Sequence, residues 1–155
     1  GDVTDGPMLA HKAMEEGVAV AELIAGQQPE FSHDNIPWVV YTWPEIAWVG
    51  QTEEELKAAG RDIRVGSFPF IATGRARAMN ETTGMIKMIG DAETDELLGV
   101  HIFGANASEL IAEAVLAKTF QASTEDIART IHGHPTLSEA MHEAALSVDG
   151  RPLHI

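Results

Sequence analysis

Residues 84–104 read GMIKMIGDAETDELLGVHIFG. Met85, Lys87 and Ile89 alternate with Ile86, Met88 and Gly90, and the polar run DAETDE separates them from LLGVHIF. A period of two places successive side chains on opposite faces of a strand, and two such runs about a polar turn make a β-hairpin. The hairpin decides the class of fold, because further strand-like runs precede it and helical runs follow it.

Upstream, DIRVGSFPF (62–70) has strand character, and TGRARAMNETTG (73–84) reads as a polar, partly basic connection. TEEELKAAG (52–60) is a short helix, with Thr52 and Glu55 as a capping box and Gly60 as its stop. WVVYTWPEIAWVG (38–50) is rich in aromatic and β-branched residues and is broken by Pro44, which predicts two short strands or one strand with a bent extension. Downstream, NASELIAEAVLAKTF (106–120) is amphipathic, with Asn106 and Glu109 at its start and Ala107, Leu110, Ile111, Ala114 and Val115 as the buried stripe. STEDIART (123–130) is a short helix, and a last helix runs from near Thr136 to about Val148. Strands in the middle with helices gathered after them predict an α+β domain, its antiparallel sheet covered by helices on one face.

The sheet would begin near residue 37, and the first ~30 residues look foreign to it. PMLAHKAMEEGVAVAELIAG (7–26) reads as a helix, opened by Pro7 and closed by Gly26. Its stripe of Ala10, Ala13, Met14, Gly17, Ala21 and Ile24 is mostly small residues, with nothing N-terminal to pack on it. QQPEFSHDNIP (27–37) is a polar linker with two prolines. The expected division is therefore 1–30 as a piece of another domain and 36–155 as the main one.

A formal charge of −14 over 155 residues repels phosphate backbones and anionic bilayers, which argues against nucleic-acid and membrane binding. The absence of cysteine excludes disulfides, thiolate metal sites and a cysteine nucleophile within the chain. No apolar run approaches the ~20 residues of a membrane span, and no signal peptide is visible.

The chemistry gathers in HGHPTLSE (132–139). Three readings compete. His132 and His134 with His142 or Glu139 could face a metal, although His-X-His lacks the three or four ligands at recognisable spacing that zinc takes. Thr136 to Glu139 match a capping box, which would make the stretch a helix start and nothing more. A third reading is a proton-transfer dyad: a histidine side chain can pass a proton near neutrality, and Glu139, one turn up the helix from His134, would fix the tautomer of its ring and stabilise the imidazolium. The chain holds no evident electrophile or nucleophile beside such a base, so the other half of a site would lie elsewhere.

GHPTLSE resembles the C-terminal signature of the disulfide-reductase flavoproteins, and YTWPEIAWVGQTEEEL and RARAMNETTGMIKMI are similar to that family's interface-domain stretches in the same order. GDVTDGPMLAHKAMEEGVAVAE looks like the dihydrolipoyl dehydrogenase branch rather than the glutathione reductase branch. The resemblance implies an interface (dimerisation) domain, residues 36–155, preceded by the end of an FAD domain, residues 1–30. It implies a homodimer that uses FAD and NAD to oxidise dihydrolipoamide, docked to the acyltransferase of a 2-oxoacid dehydrogenase complex, in a bacterial cytoplasm or a mitochondrial matrix. His134 matches the family's acid/base and Glu139 the glutamate that orients it. Asp2 matches the aspartate on the flavin's ribityl side, and Met8, Leu9, Ala10 and His11 match the stretch beside the flavin ring. The family often has a cis bond before this proline, which X–Pro linkages tolerate. Two departures weigh against activity of the chain alone: the family's cysteine-x4-cysteine pair and its Gly-rich dinucleotide loops are not in this sequence. The alternatives are a non-catalytic self-association or docking module of the same fold, or another oxidoreductase of the family. No metal site is expected.

Overall fold

The computed structural model describes residues 1–155 as two units, Gly1–Ile36 and Pro37–Ile155. The first is built on α1 (Ala10–Ile24), two residues shorter at the C-terminal end and three at the N-terminal end than its sequence pattern suggests. Lys12 is its one buried side chain: the ammonium donates to the Gly1 carbonyl at 3.1 Å and to Thr4 Oγ1 at 2.8 Å, and pairs with Glu16 one turn on at 3.0 Å. A cation removed from water needs such partners, and these tie the N-terminal turn to the helix. Met14, Val18, Leu23 and Ile24 remain exposed.

The second unit is a five-stranded antiparallel sheet in the order β1-β2-β5-β4-β3, from β1 (Trp38–Val40), β2 (Glu45–Gly50), β3 (Ile63–Pro69), β4 (Gly84–Asp91) and β5 (Leu97–Gly104). The alternation in 84–104 holds: Ile86 and Met88 are fully buried, whereas Met85 on the opposite face is 39% exposed. Register carries that alternation across the whole sheet. Ala47, Ile102, Ile86 and Phe68 align in one buried row, and Val49, Val100, Met88 and Gly66 in the next. Onto these rows pack α4 (Ala107–Thr119), against β2 and β5, and α6 (Glu139–Val148), against β3 and β4; α5 (Thr124–Arg129) packs on α6. The main helical layer thus lies on one face. The other face carries the row Val40, Ile46, Phe103 and Met85, each 39–41% exposed. A small satellite there joins Leu56 of α2 (Glu53–Ala58) to Ile89, Leu98 and Ile63.

Caps explain most helix ends. Thr52 with Glu55 and Ser123 with Asp126 form complete capping boxes at α2 and α5. Asn106 makes no side-chain cap; it takes a left-handed conformation, and the Glu45 carboxylate of β2 accepts from the Ser108 N–H at 2.8 Å instead. The stretch read as a polar connection holds a further helix, α3 (Gly74–Met79), capped by Thr73. The hairpin turn is held by two acids. Asp91 accepts from the Glu93 and Thr94 N–H groups at 3.0 and 2.9 Å and from Arg61 at 2.7 Å. Asp95 accepts from Arg64 at 2.7 Å, from Thr124 Oγ1 at 2.6 Å and from the Glu125 N–H at 3.0 Å, so the turn also anchors the start of α5. No helix is long and apolar enough to cross a membrane.

Gly66 is where the sheet meets α6 most closely. A Cβ there would sit 2.3 Å from the Ala144 carbonyl oxygen and 2.4 Å from the Val148 nitrogen, both backbone atoms of α6. Gly66→Ala is expected to push the helix off β3 and cost about 2–3 kcal/mol, read as a lowered urea midpoint. The hairpin acids give a second test. The Thr94 and Glu93 N–H groups, aided by Arg61, hold the Asp91 carboxyl down at about 2, from an ordinary 3.8. A lowered carboxylate value contributes stability above its ordinary range and loses it as pH falls through the lowered one. Asp91→Asn should therefore melt below the wild type at neutral pH and converge with it between about pH 4 and 2.

Candidate functional site

The segment between α5 and α6 holds His132, His134 and Pro135. It leaves α5 at Arg129, passes a cis His134–Pro135 bond, and enters α6 at Glu139, three residues later than the sequence pattern suggested. The delay has a local cause. Thr136 Oγ1 donates to the Gly133 carbonyl at 2.6 Å and lies 2.9 Å from Ser138 Oγ, so it does not cap the helix. Only the reverse half of the expected capping box forms: Glu139 Oε2 accepts from the Thr136 N–H at 2.8 Å.

The other oxygen of Glu139 is then free for His134. His134 Nδ1 lies 2.7 Å from Glu139 Oε1. Capping and orienting thus share one carboxylate. The His134 side chain is 76% exposed and that of Glu139 21%. A carboxylate accepts at Nδ1, so the neutral ring carries its proton there and presents the lone pair of Nε2 for a proton from outside. Burial pushes the Glu139 carboxyl up, but the bonds from the Thr136 N–H and His134 together hold it below its ordinary 4.5.

A second pair lies alongside, missed by local sequence reasoning. His132 Nε2 meets Glu113 Oε1 of α4 at 2.6 Å, and its Nδ1 meets the Thr130 carbonyl at 2.9 Å. His142 of α6 stacks on this ring, centroids 5.3 Å apart, and its Nε2 lies 3.0 Å from the Ala128 carbonyl. The histidines are thus engaged with acids and carbonyls, and no set of three or more His, Cys, Asp or Glu side chains is arranged to hold a metal ion. Glu143, also buried, accepts from the Leu153 N–H at 2.8 Å and bonds the His154 ring, which pins the residues after α6.

The residues matched to flavin contacts lie in the first unit. Asp2, Met8, Ala10 and His11 are exposed and Leu9 is half-buried. Leu9 stands at the N-cap of α1 in extended conformation, and no side chain caps the helix.

This geometry sits in a family of known architecture. A sequence profile of the pyridine nucleotide-disulphide oxidoreductase dimerisation domain matches residues 36–145. The chain is 61% identical over all 155 residues to a dihydrolipoyl dehydrogenase of Cupriavidus necator and 56% identical to mitochondrial dihydrolipoyl dehydrogenase 1 of Arabidopsis thaliana, covering 33% and 31% of those proteins. In structure it is similar to LpdA from Mycobacterium tuberculosis, with a TM-score of 0.87 at 27% identity, over 94% of this chain and 32% of that one. The chain belongs to the pyridine nucleotide-disulphide oxidoreductase dimerisation-domain family. It spans about a third of the length of the curated relatives it matches, which include bacterial and mitochondrial proteins.

Glu139→Gln tests the shared carboxylate. The amide oxygen can still accept from Thr136, but the charge that faces His134 is lost. The variant should be less stable by about 1–2 kcal/mol at neutral pH. Because the Glu139 value is lowered on folding, that gap should close as pH falls below 4.5, measured by urea unfolding across pH.

Proposed function

We propose that this chain is the dimerisation domain of a dihydrolipoyl dehydrogenase, and that it lends its His134–Glu139 pair to a homodimer that oxidises dihydrolipoamide. The observation that carries the proposal is the 2.7 Å bond between His134 Nδ1 and Glu139 on a ring that is otherwise exposed. It is an oriented general base with its reactive nitrogen directed to a group outside the chain. His134 Nε2 takes the proton of a dihydrolipoyl thiol. Glu139 holds the Nδ1 proton and stabilises the imidazolium so formed. The thiolate attacks a disulfide, which must come from elsewhere because this sequence has no cysteine.

The exposed row on the open sheet face, with the exposed Leu116 of α4 and Phe120 just past its end, supplies apolar surface for self-association. Asp2 and the Met8–His11 stretch fit the edge of a flavin site, with mostly exposed side chains at the start of α1. We assign residues 1–30 to the end of the FAD domain on that ground. FAD, when bound, supplies the electron acceptor for the dithiol, and NAD the final one. Partnership with the acyltransferase of a 2-oxoacid dehydrogenase complex, in a bacterial cytoplasm or a mitochondrial matrix, is part of the same proposal.

Two experiments test it. In the full-length polypeptide that carries this chain, His134→Gln should slow reduction by dihydrolipoamide about 10²–10⁴-fold in stopped flow with little change in melting temperature. A wild-type rate would reduce the stretch to a capped helix start. The 155-residue chain alone is expected to purify without stoichiometric flavin and to show no turnover, because the phosphate-cradling Gly-rich loop is not among its residues. A flavin absorption spectrum at one equivalent would overturn that.

A further inference from the structure

We propose that His132 is a positioning residue for the His134–Glu139 pair: locked as an imidazolium between Glu113 and the Thr130 carbonyl, it fastens the catalytic segment to α4 and offsets the Glu113 charge two residues from the base. The inference rests on the dyad reading above and goes beyond it.

The protonation state follows from the acceptors. The Thr130 carbonyl can only accept, so Nδ1 must donate across 2.9 Å. A carboxylate also only accepts, so Nε2 donates to Glu113 across 2.6 Å. A ring that donates from both nitrogens carries a positive charge. Its side chain is 6% exposed, whereas Glu113 keeps 32% of its surface in water. The ion pair therefore joins α4 to the residue two positions before His134, at the only histidine in the segment sealed from solvent.

Other charges face the same space from each neighbouring element. A pocket of about 280 Å³ is lined by His132 together with Arg129 at the end of α5, Glu139, His142 and Glu143 of α6, and His154 of the tail. His142 donates Nε2–H to the Ala128 carbonyl and stacks on the His132 ring without competing for Glu113. Glu143 is committed to Leu153 and His154. Glu139 is the one carboxylate in the pocket that also bonds the base. The hydrogen bond to Glu113 raises the His132 value above its ordinary 6.5 against the opposing effect of burial, with smaller contributions from the Thr130 carbonyl and Glu139. A raised value means that the stability of the clamp is complete below pH 6.5 and is lost only as pH rises through the folded value. The clamp is therefore fully formed up to the ordinary histidine value.

Charge balance makes the proposal testable in the full-length polypeptide. His132→Gln leaves Glu113 uncompensated against the residue two positions before His134, and its charge favours protonated His134. The acid limb of the rate of dithiol-driven reduction should move up by about half a pH unit, the order expected of one partly screened charge. The double variant Glu113→Gln/His132→Gln removes both charges and should bring the limb back to its wild-type position. Packing alone cannot produce that rescue, because the second substitution removes a further contact. A limb unmoved in His132→Gln, or moved and not restored in the double variant, overturns the proposal even if melting temperature falls. His134→Gln run in parallel separates the two readings: if it leaves the rate unchanged, the dyad itself is wrong and this inference falls with it; if it slows the rate and the limb behaves otherwise than stated, this inference alone falls. Should His132→Gln fail to fold, imidazole ¹⁵N titration of wild type and Glu113→Gln decides: His132 must lose its second proton at lower pH in the variant, and an unchanged titration overturns the proposal.

Discussion

The contact between Gly66 and the backbone of α6 is the constraint on which the rest depends. A strand that offers no side chain lets the Ala144 carbonyl and the Val148 nitrogen reach the sheet itself. That depth buries Ala140, Met141, Ala144 and Ala145 almost completely, and it fixes the height at which α6 begins. Glu139 is the first residue of the helix, and its position is thereby set by a packing contact at the other end of the element. A carboxylate placed by a core is held more firmly than one placed by a loop.

The two histidine–glutamate pairs show how burial divides labour between similar groups. His134 is three-quarters exposed and bonded at one nitrogen, so it can exchange a proton with something outside. His132 is sealed and bonded at both nitrogens, so its proton is structural. Neither needs an unusual residue type. The difference is made by the number of obligate acceptors around each ring, which is a matter of fold and not of local sequence.

What could be read from sequence was what is local. The hairpin, the capping box at Thr52 and Glu55 and the stripe on α4 all lie within a few residues, and each emerged in place, whereas the box read at Thr136 and Glu139 formed only by half. His134 and Glu139 are five residues apart and were legible for the same reason. Interactions across long separations were not. Glu45 caps α4 from 63 residues away, which made Asn106 look like the cap it is not. Glu113 and His132 are 19 residues apart, and nothing near either residue marks the pair. The helix α3 buries only Ala76, so its run of arginines hid it. Lys12 breaks the ordinary expectation for a lysine in a helix, and its burial follows from three oxygen partners, two in the turn before it and Glu16 one turn on.

The hairpin turn has a consequence for anyone who would alter this protein. By position it is a surface loop between two strands, the kind of place where tags and inserted peptides are usually accommodated. Here the loop is a strut. Asp95 grips Arg64 on β3 and the first residues of α5 at once, and α5 leads directly into the segment that carries His132 and His134. An epitope spliced between Asp91 and Glu96 would leave both strands intact and unseat the helix behind them. The cost would surface not at the insertion but at the histidines, and a tolerant graft site must be sought elsewhere on the chain.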